Sequence, residues 1–213
     1  MKKYEFTGEE KNIYGVKLKR IKRISDGKIG GWIEKEDNLS HFGKSWIYDE
    51  AIVYGNSKIY GNAEIRDSVF VYGNAKIYDN AEVSGYADIS ENTIICENAK
   101  ISEIIRVFGD IKIYGDANIS GKFNIHGNVR LYGGNISKSG DYMVFKNNLT
   151  SGIYYTYNFT NDIWVIGYFV GDTNELKECL NTNENELQKI EYGMAIDYIE
   201  KLKKIKHNMI DIQ

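Results

Sequence analysis

Aliphatic residues recur at every sixth position through the middle of the chain. From Ile47 the sequence divides into fifteen hexads, each beginning with Ile, Val or Leu, without insertion or deletion as far as Ile136. The fifth position of the hexads is most often Ala, and the third and fourth are most often Gly-Asn, Asp-Asn or Gly-Asp. An internal repeat of this length predicts a solenoid of stacked coils.

The first and fifth positions predict the inner wall of each coil. Ala75 and Ile77 are two residues apart across a hexad junction, so both side chains leave the same face of a short strand. Gly, Asn and Asp tolerate positive φ and turn the chain between strands. Three hexads then make one triangular coil, with one hexad for each side. About five coils follow, or roughly 24 Å of parallel β-solenoid at ~4.8 Å per coil.

This repeat resembles that of hexapeptide-repeat proteins, whose fold is a left-handed parallel β-helix. Here Tyr or Ser follows the aliphatic residue and Gly comes one position later, which departs from the usual family pattern. Left-handed winding is therefore implied by the resemblance, and a right-handed, bactofilin-like solenoid is the alternative. The predicted fold class is mainly β, with the triangular solenoid as its main body.

Because one coil contains three hexads, residues three hexads apart lie above each other. The residues that follow the aliphatic positions therefore form three columns, one on each face. The aromatic members of two columns are the candidate binding residues, because Tyr is enriched in the cores of protein interfaces. They are Tyr60, Tyr78, Tyr114 and Tyr132 in one column, and Tyr54, Tyr72 and Phe108 in the other. The competing interpretation is that the rings stack only for stability, at about 0.5–1.5 kcal/mol per contact.

The residues before the solenoid, 1–40, predict a β cap over its first end. Short strands are expected around a turn at TGEEKN, and Gly30-Gly31-Trp32 predicts close backbone approach and a Trp plug. The basic run KLKRIKR is interpreted as an edge strand protected by charge, with nucleic-acid contact as the alternative. The solenoid itself is expected over 41–136.

Residues 137–213 predict a small α+β module at the other end. Three aromatic strands are expected as an antiparallel meander, followed by a helix at GDTNEL, where Asp172 and Glu175 have the spacing of a capping box. Apolar residues at helical spacing predict a second helix over about 184–206. This apolar helix and the exposed solenoid faces favour self-association as a dimer or trimer.

Two further segments resemble a family of uncharacterised phage and prophage proteins. They are GGWIEKEDNLS at 30–40, directly before the YGNA-type hexads, and GYFVGDTNEL at 167–176, which leads into a helix. The second segment departs from the family pattern by Tyr for Cys, Leu for Phe and one extra residue. The resemblance implies a viral or mobile-element origin, and it brings no established activity.

Composition narrows the classes of function. The net charge is −3, so bulk attraction to nucleic acid or to an anionic membrane is not expected. No apolar run approaches the ~20 residues of a membrane span, and the first residues lack the apolar region of a signal peptide. Cys96 and Cys179 are isolated thiols, which are typical of a reducing compartment. We therefore expect a cytoplasmic protein of the infected or lysogenic host.

Candidate chemistry is sparse. Of His41, His126 and His207, only His126 lies within the regular hexads, and it is a weak catalytic candidate because no base partner or inserted substrate loop accompanies it. The Cys and His residues lack the spacing of metal ligands, and no nucleotide-binding fingerprint is present. Neither a metal nor a cofactor is predicted.

These observations predict a non-catalytic phage or prophage protein that presents rigid, Tyr-rich solenoid faces to a host protein. A component of antiviral defence is the hypothesis for that host protein. One alternative is a sponge that captures a nucleotide signal, for which Tyr stacking and the basic N-terminal run are suited. The other is an acyltransferase of the hexapeptide-repeat class that uses His126 and acyl-CoA.

Overall fold

The computed structural model describes residues 2–146 and 152–210, with side chains as far as residue 205. It confirms the predicted fold class, a mainly β chain built around a parallel β-solenoid. Three strands precede the solenoid: β1 (Tyr4–Ile13), β2 (Val16–Arg23) and β3 (Ile29–Ile33). The solenoid strands are β4 (Trp46–Ile47), β5 (Ile52–Val53), β6 (Lys58–Ile59), β7 (Glu64–Ile65), β8 (Phe70–Val71), β9 (Lys76–Ile77), β10 (Glu82–Val83), β11 (Asp88–Ile89), β12 (Ile94–Ile95), β13 (Lys100–Ile101), β14 (Ile104–Tyr114), β15 (Asn118–Ile119), β16 (Lys122–Tyr132) and β17 (Asn135–Ile136).

These strands form three flat faces, each with one rung per coil. Face 1 consists of β3, β5, β8, β11 and the first halves of β14 and β16. Face 2 consists of β6, β9, β12 and the second halves of β14 and β16, and it begins with a bridge between Leu39 and Ile59. Face 3 consists of β4, β7, β10, β13, β15 and β17. Each face has six rungs, one more than the hexads predict: residues 29–39 add the first rung of faces 1 and 2, and Asn135–Ile136 adds the last rung of face 3.

The interior is a column of aliphatic side chains, as the repeat predicts. All fifteen first-position residues, from Ile47 to Leu131, are at most 1% exposed. The fifth-position alanines between them are equally buried, so the small residues fill the space left by the larger ones. Close packing of this kind places every coil in the same register as the next.

The third position of every hexad lies at a corner and has positive φ. In nine hexads this residue is Gly and in the other six it is Asp or Glu. The acidic side chains have a partner there, because Asp67 Oδ2 accepts a hydrogen bond from Gly85 N at 2.7 Å and Glu97 Oε2 accepts one from Gly115 N at 2.9 Å. Glu34 Oε2 caps Gly55 N at 2.7 Å in the same way. Four of the six corner acids, Asp49, Asp67, Asp79 and Glu97, therefore satisfy a backbone donor one coil further along.

The predicted six-residue spacing is wrong for the last repeat unit. Asn118 pairs with Asn135 and Ile119 pairs with Ile136, so these partners are one residue closer in sequence than the partners in the preceding rung. Ile136 is 1% exposed and takes the aliphatic position of the next rung. The last repeat unit is thus one residue short of a hexad, and the consecutive positive-φ glycines Gly133 and Gly134 accommodate the shorter corner.

The first hairpin turns later than predicted. β1 continues through TGEEKN, with an irregularity in register between Phe6 and Glu10, and Ile13 pairs with Val16 across a two-residue turn. The turn residues are Tyr14 and Gly15, both with positive φ, as tight hairpins require. The polar residues that suggested a turn lie instead on an exposed edge strand.

The interpretation of KLKRIKR as an edge strand is also wrong. This run is β2, which lies between β1 and β3, and its Leu18 and Ile21 are fully buried. Four of its five cations are paired with carboxylates and the fifth, Lys19, lies over the ring of Phe6 at 5.1 Å, which leaves little free charge for a phosphate. The pairs are Lys17–Glu10 at 2.7 Å, Lys22–Glu5 at 3.2 Å, Arg20–Glu50 at 3.1 Å and Arg23–Asp26 at 2.6 Å.

The predicted close backbone approach at the two glycines is confirmed. A Cβ placed on Gly31 would lie 2.4 Å from the carbonyl oxygen of Ala51, and one on Gly30 would lie 2.7 Å from that of Ile47. Neither glycine has positive φ. Space, rather than backbone conformation, therefore requires glycine at both positions.

The tryptophan that packs with the solenoid core is Trp46, not the predicted Trp32. Trp46 is fully buried in one cluster with Tyr4 and the aliphatic column. Trp32 is 6% exposed and packs in a separate cluster with Leu18 and Ile52. Its position in β3 places it under the hairpin rather than at the end of the core.

The C-terminal module covers the second end of the solenoid. The antiparallel meander and the two predicted helices are present, and the third predicted strand divides at Gly167. The elements are β18 (Tyr142–Lys146), β19 (Tyr154–Asn158), β20 (Ile163–Ile166), β21 (Phe169–Gly171), α1 (Thr173–Thr182) and α2 (Glu186–Ile210). Side chains of the module bond to the last coil: Thr156 Oγ1 accepts from Arg130 N at 3.1 Å, and Asn158 Nδ2 donates to Gly133 O at 3.1 Å.

The capping box of α1 is confirmed. Asp172 Oδ1 accepts hydrogen bonds from the backbone N–H groups of Asn174 and Glu175, and Glu175 Oε2 accepts one from Asp172 N. Neither this helix nor α2, over the residues that the structure describes, is long and apolar enough to cross a membrane.

We predict opposite effects for the same substitution at two glycines. Gly31→Ala is expected to lower the free energy of unfolding by about 1–3 kcal/mol, because the new methyl group meets a backbone carbonyl of the next coil. Gly193→Ala, within α2 where a Cβ would have open space, is expected to raise it by about 0.5–1 kcal/mol. Urea unfolding followed by circular dichroism measures both. Equal effects at the two sites would contradict the crowding argument.

Candidate binding face

Face 2 carries an aromatic column on its outer surface. In each rung the residues before and after the buried aliphatic position point outward. The residue after it is Tyr in four of the five hexad rungs. Tyr60 and Tyr78 stack with ring centroids 4.7 Å apart and planes 5° apart. Tyr114 and Tyr132 meet edge to face at 5.2 Å. The structure therefore brings together the four candidate residues that the repeat assigned to this column.

The third rung interrupts the aromatic column with a buried thiol. Cys96 is 2% exposed, and burial raises the pKa of its thiol. The hydrogen bond with Cys96, together with burial, raises the pKa of Tyr78. Both groups are therefore neutral at physiological pH, and the column has no negative charge of its own.

A second outward column on face 2 is basic. The residue before the aliphatic position is cationic in four of the five hexad rungs. The column consists of the cations Lys58, Lys76, Lys112 and Arg130, with Ile94 in the middle rung. Sequence reasoning missed this column, although the signal is present in the sixth position of every third hexad. The two columns together give face 2 ten outward positions with four cations and no carboxylate.

The first two cations of this column are not neutralised. Lys58 and Lys76 are exposed and pair directly in register on neighbouring strands, so their ammonium groups repel each other. Among the residues that the structure describes, neither forms an ion pair. Lys112 lies over the ring of Tyr114 at 4.2 Å, and Arg130 is paired with Asp110 at 3.1 Å.

Face 3 shows the contrasting arrangement. There Arg66 is paired with Glu64, and Lys100 is paired with Glu82 at 3.0 Å, so the outward charges neutralise each other within the face. Since both faces are built from the same repeat, the solenoid does not require unpaired lysines on its surface. Paired charges would serve the fold of face 2 equally well, so the fold does not explain why Lys58 and Lys76 lack partners among the described residues.

Two corner carboxylates beside the aromatic column are already engaged. Asp79 and Glu97 lie at the corner that follows face 2. Asp79 Oδ2 accepts from Glu97 N at 3.3 Å, and Glu97 Oε2 accepts from Gly115 N at 2.9 Å. They therefore border the face without reaching across it to the lysine column.

A groove of about 450 Å³ lies at the N-terminal end of face 2. Its lining mixes apolar, aromatic and charged side chains: Glu36, Asp37, Leu39, Ser40, His41, Phe42, Lys58, Ile59 and Tyr60. Phe42 is 82% exposed at its rim, whereas Leu39 and Ile59 form a buried floor. The groove is continuous with both columns, because Lys58 and Tyr60 belong to it and to them.

His41, which lines this groove, is held in place as a structural residue. Its ring stacks on Tyr4 at 4.4 Å, and its Nδ1 accepts a hydrogen bond from Lys3 N at 3.2 Å. Nε2 therefore carries the proton when the ring is neutral, and the nearest carboxylate oxygen, on Glu36, is 3.7 Å away.

The aromatic column of face 1 begins beside the first hairpin. Tyr54 stacks on Tyr72 at 5.1 Å, and Tyr54 also packs against the cluster of Leu18, Trp32 and Ile52 beneath the hairpin. Phe108 lies further along this face. The first hairpin thus covers the beginning of face 1, whereas Lys58 and Lys76 at the beginning of face 2 are exposed.

The candidate catalytic residue His126 lies on face 1 and not in a site with other reactive groups. It is exposed, and its ring stacks on Phe108 at 5.6 Å. Within residues 2–146 and 152–210, no hydrogen bond or ion pair joins its side chain to a carboxylate or a nucleophile. His207 lies outside the described side chains.

No protein-family profile matches the chain. Among curated proteins, the uncharacterized acetyltransferase YdcK of Escherichia coli (strain K12) is 36% identical to it over 69 residues. The match covers 26% of this chain and 20% of that relative, so the chain spans about a fifth of the relative's length. Together with the coil architecture, this similarity fits a hexapeptide-repeat β-helix protein.

The two cysteines are expected to differ strongly in reactivity. Cys179 is exposed on α1 and should react at once with a thiol reagent, whereas Cys96 is buried and its raised pKa leaves little thiolate at neutral pH. We expect Cys179→Ser to remove the fast phase of labelling and Cys96→Ser to remove a phase seen only under unfolding conditions. Fast labelling of the Cys179→Ser variant in native buffer would show that the third rung of face 2 is open.

Proposed function

We propose that this protein is a non-catalytic scaffold that binds an acidic surface of another protein through face 2. The observation that carries the proposal is the parallel pair of columns, one aromatic and one cationic, in which Lys58 and Lys76 form no ion pair with any residue that the structure describes. Aromatic rings supply contact area at low entropic cost, and unpaired cations supply attraction and orientation toward acidic groups. Six rungs at ~4.8 Å give a rigid, flat surface of roughly 24 Å.

A protein partner fits this face better than a nucleic acid. Tyr60 and Tyr78 stack on each other at 4.7 Å, so no base can enter between their rings. Proteins that bind single strands offer free aromatic faces on which bases stack. The net charge of −3 also opposes a polyanion, whereas a local acidic patch needs only the local lysines. Of the five cations of β2, to which the sponge alternative appeals, four are already paired with carboxylates.

The resemblance to phage and prophage proteins supports a host protein as the partner. A rigid solenoid without a catalytic constellation is suited to occupying a surface of such a protein. A component of antiviral defence is the hypothesis that follows from this origin, and the cytoplasm of the bacterial host is the expected location.

The proposal predicts that charge reversal on face 2 abolishes a specific interaction. Tagged wild-type chain is used to capture proteins from host lysate, and each captured protein is then purified and its Kd measured. For Lys58→Glu with Lys76→Glu, we expect the Kd to rise at least about tenfold, because two attractive charges become repulsive. Higher salt should weaken binding of the wild type.

The matched control carries the same charge change on another part of the solenoid. Arg106→Glu with Lys122→Glu alters two exposed cations outside face 2 and should leave the Kd unchanged. Substitution of all four column tyrosines, Tyr60, Tyr78, Tyr114 and Tyr132, by Ser should abolish binding by removing the aromatic contacts. Equal binding by all variants, or no captured protein at all, would refute the proposal for face 2.

Acyl transfer is the second candidate function, because the relative YdcK bears the name of an acetyltransferase. His126 is the residue that such a reaction would use, but it stacks on Phe108 and lacks a base partner. We expect no release of CoA from acetyl-CoA by the purified chain, measured with a thiol reagent on a Cys96→Ser, Cys179→Ser background. Turnover that disappears in His126→Ala would establish the enzyme and overturn the scaffold proposal.

A further inference from the structure

The aromatic column of face 2 lacks a ring at the N-terminal end of the face. Leu39 forms the N-terminal rung, ahead of the five hexad rungs, by its bridge to Ile59. Ser40 N donates to Ile59 O at 2.9 Å, as Tyr60 N donates to Ile77 O at 3.1 Å in the next rung. Ser40 therefore occupies the position in the N-terminal rung that Tyr60 occupies in the following one, and it carries no ring.

The space beside Ser40 is the groove of about 450 Å³ at this end of face 2, and both Ser40 and Tyr60 line it. Tyr60 stacks on Tyr78 with ring centroids 4.7 Å apart, and among the described residues no other ring contacts Tyr60. The second side of the Tyr60 ring is thus turned toward the groove. A planar ring placed one rung further, at the same ~4.8 Å spacing, would lie over Ser40 and continue the stack.

Apolar side chains surround this empty ring position. Leu39 and Ile59 are buried and form the floor of the groove. Phe42, which is 82% exposed at the rim, supplies a further apolar surface that a bound ring would cover. Aromatic side chains that fill pockets of this kind are the typical hot spots of protein interfaces.

The polar groups of the groove indicate which aromatic side chains fit. Glu36 is engaged by Lys2 at 2.7 Å, whereas Asp37 is exposed and can accept a hydrogen bond from an indole N–H or a phenol O–H. Lys58 lines the same groove, and Lys76 pairs with it in register on the next strand. A tryptophan or tyrosine with acidic neighbours therefore matches the ring position, the acceptor and the two ammonium groups.

We propose that the groove is the anchor pocket for a tryptophan or tyrosine side chain of the protein that face 2 binds, with acidic residues beside this anchor meeting Lys58 and Lys76. The inference rests on the proposed function, and it names the recognition element of the partner as an exposed aromatic residue in an acidic segment. The anchor ring continues the stack of Tyr60 and Tyr78. It adds an enclosed contact to a face that is otherwise flat.

A protein segment fits the groove better than a nucleotide does. A base could also stack on Tyr60, but its phosphates would meet the carboxylates of Glu36 and Asp37 within the groove. A neutral aromatic side chain enters without charge. The acidic groups of such a segment belong to neighbouring residues, which lie outside the groove beside the lysine column.

The test uses the full chain and synthetic peptides. The probe is the acetylated peptide GSWDEDGS, and its two controls replace either Trp by Ala or the acidic residues by their amides. Titration followed by the isoleucine and leucine methyl resonances gives both the Kd and the location. We expect either control to bind at least about tenfold more weakly than the probe at low salt. The Leu39 and Ile59 methyl resonances should move upfield with the probe, because they would lie under its ring.

A matched pair of variants separates the groove from the lysine column. Ser40→Phe fills the empty position with the chain's own ring and should raise the Kd for the probe at least about tenfold. Ser102→Phe places the same ring at the corresponding position of face 3 and should leave the Kd unchanged. Phe42→Ser, at a side chain that the fold leaves exposed, should also weaken binding. Circular dichroism and melting curves check that each variant remains folded.

Equal Kd values for the probe and its alanine control overturn the anchor proposal, as does the absence of any saturable shift of the Leu39 and Ile59 methyl resonances. Tighter binding of a thymidine oligonucleotide or of free tryptophan than of the probe overturns it as well, because the groove would then take a nucleotide or a small molecule. Failure of the anchor is distinguishable from failure of face 2. A host protein whose Kd rises in Lys58→Glu with Lys76→Glu but is unchanged in Ser40→Phe removes the anchor and leaves the function proposed for face 2 in place.

Discussion

The positive φ at the third residue of every hexad is the constraint on which the whole architecture depends. It turns the chain through one corner of the triangular coil every six residues. Strands three hexads apart therefore lie above each other with their backbones in hydrogen-bonding register. Lys58 N bonds to Ala75 O at 2.9 Å and Tyr60 N to Ile77 O at 3.1 Å, and the pattern continues along the coils. Where the corner residue is not Gly, its carboxylate can accept a backbone N–H of the next coil, as those of Asp67 and Glu97 do. The residue with the least favoured backbone conformation therefore also stabilises its neighbour.

Because each coil contains three hexads, side chains three hexads apart in sequence lie above each other and form columns on the surface. The same corner geometry produced three faces with different chemistry: face 3 pairs its charges within the face, face 1 is covered at its beginning by the hairpin, and face 2 carries an aromatic column beside a basic column. Because the backbone is the same in all three, the differences come from side chains alone. Stacking of Tyr60 on Tyr78 stabilises the column and at the same time makes it rigid. Stability and recognition are thus compatible explanations of the same rings.

The two ends of the solenoid expose backbone groups that no further coil can satisfy. At the first end, β3 and Leu39 add a coil that is covered by the hairpin and sealed by Trp46 and Tyr4. At the second end, polar side chains of the meander bond to the backbone of the last coil. The module that performs this task also positions α2, which leaves the apolar side chains of Leu187, Ile190 and Met194 exposed.

The sequence by itself determined the repeat, the buried aliphatic column, the corner positions, the aromatic columns and the capping box at Asp172, because each depends on spacing within a few residues. Tertiary structure decided the features that depend on distant partners. It placed the basic run of β2 between two strands and paired its charges with Glu5, Glu10 and Glu50. It left Lys58 and Lys76 without ion-pair partners among the described residues, shortened the last repeat by one residue, and left apolar side chains of α2 exposed. The charges of one chain segment do not predict which carboxylates will lie near them. The apolar spacing of a helix does not predict which of its sides will be buried.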